Sequence, residues 1–103
     1  MTEGCSELEP YALRVLGDSM APEFWDGCII VVEPARNAPD RAYVTAEVGG
    51  EVILRQLVTD GDRRWLKPLN AAYPVIELGP QSVVRGVVVQ RAGTRRAHHK
   101  HYW

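Results

Sequence analysis

The side chain with the clearest chemical potential is Ser19, set in Gly17-Asp18-Ser19-Met20 between an apolar run and a turn. A serine at so sharp a bend projects its hydroxyl. The bend also leaves nearby backbone N–H groups free to face a developing oxyanion, which is the geometry a serine nucleophile needs. Turn chemistry alone favours another role, a helix cap whose hydroxyl accepts a backbone N–H. Asp18 could orient Ser19 or accept N–H bonds within the turn. Gly17 suits either reading, because glycine allows an unusual φ or a close backbone approach. Cys5 and Cys28 could form one bridge by count. Cys5 lies in a polar stretch, however, and Cys28 opens an apolar run, so no disulfide is expected. His98, His99 and His101 are three imidazoles in a polar terminal segment that supplies neither fixed geometry nor a second shell. No metal and no cofactor are expected there.

These side chains must be positioned by short strands. β-like runs recur between turn signals at Tyr11–Leu16, Cys28–Glu33, Ala42–Val48, Glu51–Val58, Arg64–Lys67, Val75–Leu78 and Val83–Arg91. Gly49-Gly50 predicts a two-residue hairpin and Asp60-Gly61 a second. One short helical turn is expected over Ser19–Trp25, ended by Asp26-Gly27. The continuous runs Cys28–Val32 and Val87–Val89 predict strands buried on both faces. With 103 residues and 46% hydrophobic content, the chain has room for one domain. The reading is a flexible segment over 1–10, a β domain over 11–92 and a basic, mobile tail over 93–103.

The formal net charge of −1 implies no general attraction to nucleic acid or membrane. No apolar run approaches the roughly 18 residues that span a bilayer. The acidic start MTEGCSELEP lacks an apolar leader core, so the chain reads as cytoplasmic.

The string GDSMAP followed by FWDGCIIVVEP resembles the nucleophile box of the S24 peptidase family, which includes LexA, UmuD and the self-cleaving phage repressors. Glu51-Val52-Ile53-Leu54-Arg55-Gln56-Leu57 resembles that family's second box, where a strand carries the catalytic lysine. Leu66-Lys67-Pro68-Leu69-Asn70 with Tyr73-Pro74, and Arg85-Gly86-Val87-Val88, are similar to its later strands and loop. The resemblance spans residues 11–92 and implies a compact LexA or signal-peptidase-like fold, mainly β. It places the nucleophile at Ser19, a backbone oxyanion contact at Met20, supporting roles at Gly17 and Asp18, and the base position at Arg55.

In a serine–lysine dyad the amine must be neutral to take the hydroxyl proton, and burial makes it so. Arginine keeps its charge, with a pKa above about 12. Arg55 could donate a hydrogen bond to Ser19, or pair with Asp18 or Glu47, without activating the serine. The expectation is therefore a pseudo-peptidase. Two rescues are Lys67 from an adjacent strand and a tail histidine acting as base.

Family members cleave their own chain at an Ala-Gly or Cys-Gly bond ahead of the core, whereas this chain offers Gly4-Cys5, the reverse order. Ten polar residues before the first strand do not make a helix-turn-helix domain, so direct operator binding is not expected. Three functions compete. The first is a dimerising or partner-binding module in a stress-response or repressor-like setting, with a polymerase or repressor-like protein as partner. In that reading Val87–Val89 either extend a shared sheet or belong to the core. The second is a serine peptidase using Ser19 with an unconventional base. The third is a small nucleic-acid-binding β domain using Arg91, Arg95, Arg96, Lys100, Tyr102 and Trp103. Trp25, Trp65 and Tyr43 could line a peptide cleft, although aromatics in so small a domain are more often core.

Overall fold

The computed structural model describes residues 9–80, 82–92 and 100–102, which build one antiparallel sheet. Its strands are β1 (Tyr11–Arg14), β2 (Ile29–Pro34), β3 (Tyr43–Val48), β4 (Glu51–Asp60), β5 (Arg63–Lys67), β6 (Ile76–Glu77), β7 (Ser82–Ala92) and β8 (Lys100–His101). They lie in the order β1-β2-β7-β3-β4-β5-β6, with β8 paired to β7 off that path. The mainly β fold predicted from the sequence is the fold observed.

Gly49 and Gly50 take φ values of 58° and 88°, as a two-residue turn that matches strand twist requires. The second hairpin turns at Gly61-Asp62, one residue later than predicted, because the β4–β5 ladder extends to the pair Asp60 and Arg63. β7 is the centre of the sheet. It pairs with β2 along Gly86–Ala92 and with β3 along Ser82–Val87, and β8 takes the edge beyond β3 at Gln90 and Arg91. Val87 and Val88 are consecutive and buried, as the apolar run predicts, whereas Val89, the third residue of the run, is half-buried. With both edges of β7 occupied, Val87–Val89 belong to the interior of this sheet and do not extend a shared one. β2 departs from expectation: Ile30 and Val32 are buried while Ile29 and Val31 are only half-buried. It lies one strand from the sheet's edge, so its pattern alternates as in a strand with one open face.

No helix occurs among the described residues. The turn predicted after Ser19 is a set of hydrogen-bonded turns, with Ala21 N–H bonded to Asp18 C=O and Phe24 N–H to Met20 C=O at 2.9 Å. A cis peptide bond joins Ala21 to Pro22 within it. These turns drop Met20 and Phe24, both fully buried, into one core cluster with Val15, Cys28, Ile30, Val32 and Val88. A second cluster, around Val44, Leu57, Leu66 and Val84, sits under β3, β4, β5 and β7.

Part of the predicted solvated tail is instead docked. Lys100–His101 pair with β7, Tyr102 N–H donates to Val89 C=O at 2.9 Å, and the Tyr102 ring lies 5.4 Å from those of Phe24 and Tyr43. Two paired residues are too few to show as a periodic run. Cys5, Arg95, Arg96, His98, His99 and Trp103 lie outside the described residues, as does the predicted flexible segment up to residue 8.

Candidate active site

The serine turn is fastened at its base and clamped from the side. Val15 N–H donates to Cys28 C=O at 2.8 Å and Gly27 N–H to Val15 C=O at 2.7 Å, which closes the loop between β1 and β2. Inside that loop Gly17 adopts φ 86°, the unusual angle the sequence predicts, and its N–H donates to Asp26 Oδ1 at 2.7 Å. The clamp comes from the loop between β5 and β6. Ser19 C=O accepts the N–H groups of Leu69 (3.1 Å) and Asn70 (2.9 Å), and Asn70 Nδ2 donates to Asp18 C=O at 3.2 Å. The Tyr73 hydroxyl donates to Asp18 Oδ1 at 2.5 Å, and this bond to a carboxylate holds the Tyr73 pKa above its ordinary value. Asp18 therefore positions the turn through Tyr73 and makes no side-chain bond to Ser19.

Arg55 reaches Ser19 from β4. Its Nη1 donates to Ser19 Oγ at 3.0 Å and to Leu54 C=O at 2.7 Å. With no helix to cap, the Ser19 hydroxyl serves this contact. The Arg55 side chain is buried, 8% exposed, with the Tyr73 ring centre 5.9 Å from its guanidinium carbon. Burial pushes its pKa below the ordinary arginine value, with Tyr73 opposing. Neither carboxylate foreseen as a partner pairs with it: Asp18 binds Tyr73, and Glu47 pairs with Arg85 at 2.7 Å. Lys67 stands opposite Gln56 in the β4–β5 ladder and is exposed. Successive residues of a strand face opposite sides, so Lys67 projects from the side away from Arg55. His98 and His99 lie outside the described residues.

Ser19 and Arg55 lie in a cleft of about 290 Å³ lined on its apolar side by Leu13, Ile53 and Leu54 among others, and also by Arg14, Thr45 and Tyr73. Two buried polar atoms here have no hydrogen-bond partner, Thr45 Oγ1 and Arg55 Nε. A guanidinium offers donors only, so its contact orients the serine oxygen and accepts no proton from it.

Sequence reasoning missed Asn70, Tyr73 and Thr45 as site residues. The first two stand in the stretch Leu69 to Pro74 quoted for the family resemblance, which was the available signal. Thr45 looks like any strand threonine. The aromatic residues first considered for a cleft are elsewhere: Trp25 stacks on Arg91, Trp65 on Arg63, and Tyr43 packs edge-on against Phe24 at 4.9 Å. Arg91, Lys100 and Tyr102 converge on Glu23, whose Oε2 accepts from all three at 3.1, 2.8 and 2.6 Å. Among the described residues no group of three or more His, Cys, Asp or Glu side chains could hold a metal ion, and no helix is long and apolar enough to cross a membrane.

Comparison with known proteins places the sequence in a family. The chain is 38% identical over 95 residues to the HTH-type transcriptional regulator for conjugative element SXT of Vibrio cholerae, covering 85% of this chain and 42% of that protein. It is 40% identical over 94 residues to a repressor protein of Salmonella phage P22, covering 85% and 43%. To the LexA repressor of Citrifermentans bemidjiense it is 38% identical over 76 residues, covering 71% and 38%. It thus spans about two fifths of the length of these relatives. The peptidase S24-like family model matches residues 5–89, and with these relatives it makes the chain a member of the peptidase S24-like family.

Proposed function

We propose that this is a catalytically silent S24-type domain, acting in the cytoplasm as a dimerising or partner-binding module in a repressor-like or stress-response setting. The observation that carries the reading is the 3.0 Å contact in which Arg55 Nη1 donates to Ser19 Oγ. A serine nucleophile needs a neighbour that takes its proton, and a guanidinium keeps its own protons at every ordinary pH. Met20, whose backbone would face an oxyanion, then has no acyl chemistry to serve. Support for the setting comes from the relatives, which are named as transcriptional regulators and repressors. The partner is a second copy, a repressor-like protein or a polymerase, recognised by protein surface and not by direct nucleic-acid binding.

Reaction with a serine-directed fluorophosphonate at pH 7.5 tests the silent site. Wild type stays unlabelled. Arg55→Lys restores an amine that burial can neutralise, and it raises labelling on the order of a hundredfold, the low end of a general base's contribution. Ser19→Ala in that background removes the label. Labelling of wild type at Ser19 overturns the proposal, and a folded Arg55→Lys variant no more reactive than wild type overturns the assignment of position 55.

A further inference from the structure

We propose that the Ser19–Arg55 cleft is a carboxylate-binding site that takes the free C-terminal end of an extended apolar peptide. The inference rests on the reading above, in which Arg55 stays charged and Ser19 stays idle.

Three observations converge. The first is electrostatic. Arg55 is 8% exposed, and among the described residues no carboxylate pairs with it. A buried charge without a counter-charge is costly, and proteins tolerate it where a ligand supplies the missing sign.

The second is hydrogen-bonding capacity. Arg55 Nη1 spends its bonds on two neutral acceptors, Ser19 Oγ and Leu54 C=O, while Arg55 Nε remains unpartnered. Thr45, 2% exposed, leaves its hydroxyl unpartnered at the same cleft. Ser19, having accepted from Arg55, keeps its own proton to donate. A carboxylate is the planar anion that matches a guanidinium fork and a hydroxyl donor together.

The third is the wall. Leu13, Ile53 and Leu54 line the cleft, and Leu16 and Val52, which are 80% and 57% exposed, flank its mouth. The residue carrying the carboxylate is therefore apolar. β1 borders the cleft through Leu13 and Arg14, and among the described residues it is paired on one side only, by β2. Its outer edge offers backbone groups to an extended chain, which a small acid could not use. Of the two arginines at the cleft Arg14 is exposed and Arg55 alone is buried, and one buried guanidinium fits a carboxylate better than a phosphate, which draws clusters of donors.

Calorimetric titration of the wild-type chain with the N-acetylated peptide Ala-Leu-Leu, as free acid and as C-terminal amide, tests this. The acid binds at least about tenfold more tightly, since a bond to a charged group is lost in the amide. Arg55→Met keeps the side-chain length, removes the charge and abolishes the difference, whereas Ser19→Ala retains most of it. A measurement on wild type alone guards against misfolding of the variant: the Arg55 Nε–H resonance shifts with the acid and not with the amide. Equal affinity for acid and amide, or no binding of either, overturns the inference. So does acetate binding as tightly as the peptide acid, which would mark a small-acid site. Fluorophosphonate labelling of wild type would instead overturn the silent-site reading, so the two failures are distinguishable.

Discussion

Gly86 is where a single methyl group should do the most damage for a reason visible in the structure. It sits on β7 where that strand is paired on both sides, opposite Pro34 of β2 and Thr45 of β3. A Cβ built there lies 2.4 Å from Val32 Cγ1, 2.9 Å from the Glu33 carbonyl oxygen and 3.4 Å from Thr45 Oγ1. Carbon atoms rest at about 3.5 to 4.0 Å, so the first contact is more than 1 Å too short. Val32 is fully buried and has nowhere to turn, and the Glu33 carbonyl belongs to the strand that carries the ladder. Overpacking of this kind costs about 1 to 3 kcal/mol, here at the upper end because neither neighbour is a flexible tip. Removing a glycine from a strand returns about 0.5 to 1 kcal/mol. Gly86→Ala should therefore destabilise by about 2 kcal/mol and lower Tm by about 8 to 16 °C. Thermal unfolding followed by circular dichroism measures this. Val32→Ala placed in the Gly86→Ala background removes the worst contact, so the double variant should be more stable than the sum of its parts by about 1 kcal/mol or more. A Gly86→Ala Tm within about 2 °C of wild type, or strict additivity of the pair, would refute the β2–β7 packing described here.

Burial pushes the Glu23 carboxyl pKa up, but hydrogen bonds from Lys100 and Tyr102 and the charges of Lys100 and Arg91 outweigh it and hold the group below 4.5. A depressed acid stabilises the folded form above its ordinary value and loses that contribution as pH falls through the folded value. Docking of β8 should thus weaken as the pH falls below the ordinary carboxylate range while the main sheet persists, seen as faster hydrogen exchange at Tyr102 N–H. Glu23→Gln should produce the same loosening at neutral pH, at a cost of about 1 kcal/mol; unchanged exchange there would discount the cluster. Cys28 is 3% exposed and burial raises its thiol pKa. In a Cys5→Ser background it should react with a disulfide reagent at least about a hundredfold more slowly in the native than in the unfolded chain, and comparable rates would contradict its burial.

Much of the framework was legible because its signals are local. Glycine pairs and Asp-Gly steps mark hairpins through backbone angles, and seven runs between turn signals correspond to β1 through β7. Three things were not legible. β8 is two residues held by the Glu23 cluster, a contact across 77 and 79 residues that no periodicity records. The alternating burial of β2 depends on which neighbours flank it, and an apolar run cannot state that. The partners expected for Asp18 were its own turn, Ser19 or Arg55, whereas the structure supplies Tyr73, 55 residues away. The resemblance pointed to Ser19 and Arg55, but the clamp around them needed coordinates.

That clamp separates geometry from chemistry at this site. Four hydrogen bonds from Leu69, Asn70 and Tyr73 hold the Asp18-Ser19 turn, and none involves Arg55. The serine turn is thus built by the scaffold whatever occupies position 55, while that position alone decides whether the neighbouring group takes a proton or presents a fixed charge. A lysine there could shed its charge on burial and stand uncompensated at no lasting electrostatic cost. Arginine lacks that escape, so its burial beside two unpartnered polar atoms asks for an anion. The same cleft, with one side chain changed, is suited to holding a carboxylate where it would otherwise generate one.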